Sequence, residues 1–103
     1  MNLQSIREQL EKLFCMTFTD GQWLEYDCIE YHNKKTGKSI NIHLYTRKES
    51  GEQRIALDYQ YNNGNGGQYI SYDNMNDVIA AIDKWAFERR SADSDDYTQL
   101  SLF

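Results

Sequence analysis

The feature that most constrains this chain is a run of alternating segments between two helical ones. In residues 39–46, Ile40, Ile42 and Leu44 alternate with Asn41, His43 and Tyr45. In 53–61, Ile55, Leu57, Tyr59 and Tyr61 alternate with Arg54, Ala56, Asp58 and Gln60. A period of two with one polar side describes strands covered on a single face, which is the habit of antiparallel sheets. A less regular segment, 22–31, precedes them, with Leu24, Tyr26 and Cys28 on one side and Trp23, Glu25, Asp27, Ile29 and Tyr31 on the other. The connecting pieces at 33–38 and 48–52 are short, polar and contain glycine, as hairpin loops do.

Helical periodicity brackets the strands. Leu3, Ile6, Leu10, Leu13 and Phe14 recur every three or four residues, with Gln4, Arg7, Glu8 and Glu11 between them. This predicts a helix over 3–15, broken by Thr19-Asp20-Gly21. After the turn cluster Asn62-Asn63-Gly64-Asn65-Gly66-Gly67, a short fourth strand is expected at 68–72. A second helix then begins near Asp73 or Asn74, with Met75, Val78, Ile79, Ile82 and Ala86 on one face and Trp85 beside them. Asn74 suits its cap and Asp77 its first turn, while Lys84, Arg89 and Arg90 suit its far end. The order is α-β-β-β-(β)-α. Two apolar helix stripes and one apolar sheet face make a two-layer α+β sandwich, an antiparallel sheet with both helices on one face.

With 103 residues, one domain is expected, spanning 1–90. Residues 91–98 (Ser91 to Thr98) are acidic and read as a mobile linker, and 99–103 as a separate peptide. No stretch of about 18 apolar residues and no signal-peptide pattern occurs, so the expectation is a cytoplasmic protein without a membrane partner. Cys15 and Cys28 form no Cys-x-x-Cys pair and are expected as buried free thiols. The net charge of −5 argues against broad contact with a phosphate backbone, so no direct nucleic-acid binding is expected.

Chemistry-bearing patterns are few. Gly64-Asn65-Gly66 lacks the Lys and Ser/Thr of a phosphate loop and leads into a strand pattern instead. Cys28 and His32 share a side of an extended segment, but four residues span about 13 Å, too far for two ligands of one zinc. His43, on the polar side of its strand, is expected to be solvated or hydrogen bonded. Glu25, Asp27 and Asp58 have the ordinary explanation of solvated charge. The sequence implies no enzyme, no metal and no cofactor. The polar sheet face does carry more aromatic surface than solvation requires. Trp23, Ile29, Tyr31 and Tyr45 are expected there, which makes Trp23, Tyr31 and Tyr45 a possible second binding surface.

The segment Gln99-Leu100-Ser101-Leu102-Phe103 places three large apolar residues beyond an acidic stretch, where they need a partner surface. It resembles the motif by which bacterial replication and repair proteins bind the DNA polymerase sliding clamp, Gln-Leu-(Ser or Asp)-Leu-Phe, at all five positions. A match of that length arises by accident in roughly one chain in several thousand. The resemblance covers those five residues only. It implies that Leu102 and Phe103, with Leu100 in part, fill the clamp's hydrophobic pocket. Gln99 would set the register and Ser101 would face outward. On this reading the chain is a small non-enzymatic adaptor or inhibitor whose protein partner is the bacterial sliding clamp.

Two alternatives belong to other classes. Small α/β anti-CRISPR proteins are similar in length, acidity and element order, which implies an acidic, nucleic-acid-mimicking inhibitor of phage or mobile-element origin. There Asp58, Glu25 and Asp27 would carry binding. Double-stranded RNA-binding domains are similar in element order alone, and the place of their lysine-rich helix start is acidic here, at Asp73 and Asp77.

Overall fold

The structure, a computed structural model, describes residues 2–61 and 66–87. The linker at 91–98, the peptide at 99–103, the middle of the glycine-rich turn and the expected helix end at Arg89 and Arg90 lie outside those residues. The described chain is α+β: a five-stranded antiparallel sheet in the order β1-β2-β3-β4-β5, with one helix before it and one after.

Helix α1 spans Leu3–Leu13, two residues shorter than its periodicity implies. Asn2 caps it, its side-chain oxygen accepting from the Ser5 N–H at 2.8 Å. Two side chains of α1 then fasten the outgoing chain. Glu11 accepts the Phe18 N–H at 2.8 Å, and Arg7 donates to the Phe18 carbonyl and, at 2.9 Å, to Asp20. These bonds deliver Phe18 into the core and start a strand at the next residue.

That strand, β1 (Thr19–Trp23), is the main departure from expectation. Thr19, Asp20 and Gly21 belong to it rather than to a break, and 22–31 is a hairpin rather than one strand. β1 pairs with β2 (Tyr26–Asn33) around the two-residue loop Leu24-Glu25, with Trp23 opposite Tyr26. Leu24 takes a positive φ of 55°, a region that favours glycine and costs a branched side chain about 1 kcal/mol or more. Neither Leu nor Glu announces a turn, so nothing in the composition marks this one.

Strands β3 (Lys38–Thr46) and β4 (Gln53–Gln60) follow as the alternation predicts, and β5 (Gly67–Tyr72) is the short strand expected after the turn cluster. Asn33 shapes the β2–β3 turn by accepting from the N–H groups of Lys35 and Thr36, and Gly37 supplies its positive φ of 76°. Helix α2 spans Met75–Phe87, with the Asn74 side chain accepting the Asp77 N–H at 2.9 Å. Lys38 donates to the Trp85 carbonyl at 2.6 Å, which ties the β2–β3 turn to the last turn of that helix.

The registers divide the sheet into two faces. Ile29, Ile42 and Leu57 stand side by side across β2, β3 and β4, with Ile40 beside Tyr59 and Leu44 beside Ile55. All but the half-buried Leu44, which packs against the rest, form one buried cluster with Ile6 and Leu10 of α1, Phe18, and Val78, Ile82 and Trp85 of α2. Burying a branched aliphatic side chain contributes about 1.5–3 kcal/mol, so this cluster is the main favourable term in folding. Of the cysteines, Cys28 is buried as expected, but Cys15 is exposed, because α1 has already ended when it arrives.

Candidate interaction surface

The opposite, open face of the sheet holds most of the chain's chemistry-bearing side chains, in two cross-strand rows. One row runs Thr19, Glu30, Asn41, Asp58, Tyr69, and the next Gly21, Cys28, His43, Ala56, Ser71. His43's own row is otherwise small side chains. That leaves room above the imidazole, and aromatic rings from the flanking positions fill it. Trp23 lies 5.0 Å from the His43 ring, Tyr26 4.9 Å, Tyr69 6.0 Å and Tyr45 6.2 Å.

Of the two expectations for His43, solvated or hydrogen bonded, the structure shows the second: the residue is only 1% exposed and meets a tyrosine hydroxyl. The Tyr69 hydroxyl is 3.2 Å from its Nε2, and its Nδ1 has no partner among the described residues. Burial pushes the His43 pKa below its ordinary value, against the opposing pull of the Asp58 carboxylate. The imidazole is held neutral at pH 7, as a ring packed among rings.

Beside this cluster runs a groove. A hollow of about 370 Å³ is bounded by Trp23, Glu30, His32, Asn41, Asp58 and Gln60. A second hollow, of about 290 Å³, shares Asp58 and Gln60 with it and reaches Gln68 and Tyr69 on β5. Asn41 donates to Glu30 at 3.3 Å and to the Cys28 sulfur at 3.1 Å. Burial raises the Cys28 thiol above its ordinary pKa despite the Asn41 bond, so it stays protonated and is no nucleophile. Among the described residues, neither Glu30 nor Asp58 has an ion-pair partner. Arg54, on the same face, is occupied by Glu52 and Ser71.

The structure separates the residues grouped by sequence. Trp23 and Tyr45 are on the open face, but Tyr31 and Ile29 are on the core face, Tyr31 with its ring 5.9 Å from Phe18. The unforeseen hairpin is the cause. A two-residue turn puts Trp23 opposite Tyr26, so the parity counted from Trp23 inverts for every later residue of β2. Tyr26, Tyr69 and His43, absent from the sequence reading of this surface, are its centre. The three acids are also split: Asp58 lines the groove, Glu25 sits in the hairpin loop, and Asp27, out of phase with Cys28, points away. Among the described residues no three of His, Cys, Asp and Glu gather to hold a metal ion, and no helix is long and apolar enough to cross a membrane.

Set beside known proteins, the chain matches no family model, no curated sequence and no solved structure.

Proposed function

We propose that this chain is a small, non-enzymatic cytoplasmic binding protein that docks on the bacterial sliding clamp through Gln99-Leu100-Ser101-Leu102-Phe103. The five-position motif match carries the reading. Leu102 and Phe103 enter the clamp's apolar pocket, assisted by Leu100, and Gln99 fixes the register. A short peptide spends part of its contact energy on ordering, so its own affinity is on the order of micromolar. Eight linker residues reach at most roughly 28 Å, which keeps the folded body close to the clamp surface. Both helices pack on the sheet's core face, leaving the open face for the body's own partner. The test is calorimetric titration of the full chain into a bacterial sliding clamp, beside a Leu102→Ala/Phe103→Ala variant. Heat lost with the variant supports the reading, and equal binding by both chains refutes it.

One observation favours a second reading, that the body is an acidic inhibitor occupying a nucleic-acid site on a target protein. Glu30 and Asp58 flank the open-face groove with no cation paired to them among the described residues, beside the Trp23 ring. An arginine from a partner fits between two such carboxylates and stacks on the indole. Under this reading a Glu30→Gln/Asp58→Asn variant loses its target and a variant of residues 99–103 does not.

A further inference from the structure

A further hollow lies on the other side of the sheet, between β5 and the last turns of α2. It measures about 550 Å³, and Tyr59, Ile70, Tyr72, Ala81, Lys84 and Trp85 line it. Two observations mark it as more than a packing gap. Trp85 is only 2% exposed, yet its indole N–H has no acceptor among the described residues. A buried donor left in that state is costly until an acceptor arrives. Above it, Ile70 is 39% exposed on β5, which is the last strand of the sheet. An edge strand beside an apolar hollow is the setting in which an extended peptide binds, its main chain pairing and its alternate side chains filling the hollow.

The charges nearby select among occupants. Lys84 stands at the rim, and Lys34 and Lys35 lie in the β2–β3 turn that Lys38 fastens to the Trp85 carbonyl. None of Lys34, Lys35 and Lys84 has an ion-pair partner among the described residues. The matching ligand is an extended segment with acidic residues followed by apolar ones. This chain carries one: Asp93, Asp95 and Asp96, then Leu100, Leu102 and Phe103. Lys84 and Trp85 are in the last turn of α2, and eleven residues lie between Phe87 and Gln99, a reach of up to roughly 40 Å.

We infer that the hollow between β5 and α2 is a docking site for this chain's own 93–103 segment, with the acidic residues against the lysines and Leu100, Leu102 and Phe103 in the aromatic hollow. The inference rests on the clamp-docking reading for its consequence: the peptide that binds the clamp is then held in part by its own body. A backbone carbonyl of the segment meets the Trp85 indole N–H. Clamp affinity falls by the fraction of chains whose peptide is docked at home.

The test uses the full chain. The two indole N–H signals are followed by nuclear magnetic resonance, with Trp23→Phe to assign them, in the native chain and in Leu102→Ala/Phe103→Ala. The Trp85 signal is expected to move and to exchange faster in the variant, while the Trp23 signal stays. Lys84→Glu, an exposed change that leaves the core intact, is expected to shift Trp85 in the same direction and to raise clamp affinity by about three- to tenfold. An unchanged Trp85 signal in both variants overturns the inference, even where calorimetry still finds clamp binding. A Trp85 response that grows with protein concentration also overturns it, because the segment then comes from a second copy. A Trp85 response independent of concentration, in a chain that binds no clamp, keeps the docking site and removes the clamp as its competitor.

Discussion

The two faces of the sheet are built on the same strands and are buried by different means. On the core face, Ile29, Ile42 and Leu57 are covered by side chains from other elements, aliphatic against aliphatic. On the open face, His43 is covered by Trp23, Tyr26, Tyr45 and Tyr69, rings that belong to the sheet itself. A face that must cover itself does so with large flat side chains around small ones, and it accepts a polar residue at its centre. The first arrangement gives stability. The second gives a surface with directional groups and a groove beside them.

If that contrast is right, the largest effect of any single truncation falls on the core face. Ile42 is fully buried between Ile29 and Leu57. Ile42→Ala is expected to cost about 2–5 kcal/mol, because the rigid sheet cannot close the cavity. Urea unfolding would show it as a fall in midpoint with little change in slope. A cost below about 1 kcal/mol would mean that the core face is loosely packed.

Trp23→Ala probes the other face in the same assay. The indole is 38% exposed, and its main contacts are rings, so a loss of about 1–1.5 kcal/mol is expected from ring packing. The more telling result is at His43. Uncovering the imidazole relieves the burial that depresses its pKa, so its titration should move up towards 6.5. A loss as large as that of Ile42→Ala would erase the distinction between the faces.

How far each face could be read from the sequence follows from the same difference. The core face depends on which residues are apolar and on strict alternation, both plain in Ile40, Ile42 and Leu44 and in Ile55 and Leu57. The open face depends on register between strands, which alternation does not encode. Its Trp23 and Tyr45 were legible, but Tyr26 and Tyr31 exchanged sides because the hairpin at Leu24-Glu25 has no glycine, asparagine or aspartate to mark it. His43 was placed on the correct face, yet its burial was not legible. That burial requires Gly21, Cys28, Ala56 and Ser71 to fall in one row, a coincidence of four strands.

The buried imidazole makes stability depend on pH in the mildly acidic range. The unfolded chain binds a proton at His43 near pH 6.5, whereas the folded chain resists it until lower pH. The unfolded state therefore holds more protons in that window, and stability falls as pH drops below about 6.5. His43→Phe, which keeps a ring among rings, is expected to flatten this part of the profile. Urea midpoints measured between pH 7.5 and 5.5 for both chains decide it. A native profile as flat as that of the variant would mean that the ring cluster opens readily to water.

The smallest effect separates the groove from the ring cluster. Asp58 lines the groove, and its carboxylate favours the charged form of His43, opposing the effect of burial. Removing that charge with Asp58→Asn keeps the shape and leaves burial unopposed, so the His43 titration should move further down, not up. Coulomb attraction at this partly buried depth is modest and screened by salt, so the added depression should shrink as ionic strength rises. Imidazole proton resonances followed through pH at low and at high salt would read it directly. An upward shift would mean that Asp58 acts on His43 by shielding it from water rather than by charge. The groove and the ring cluster would then be one packed unit, and a ligand arriving at Glu30 and Asp58 would be felt at Tyr69 through packing rather than through the field.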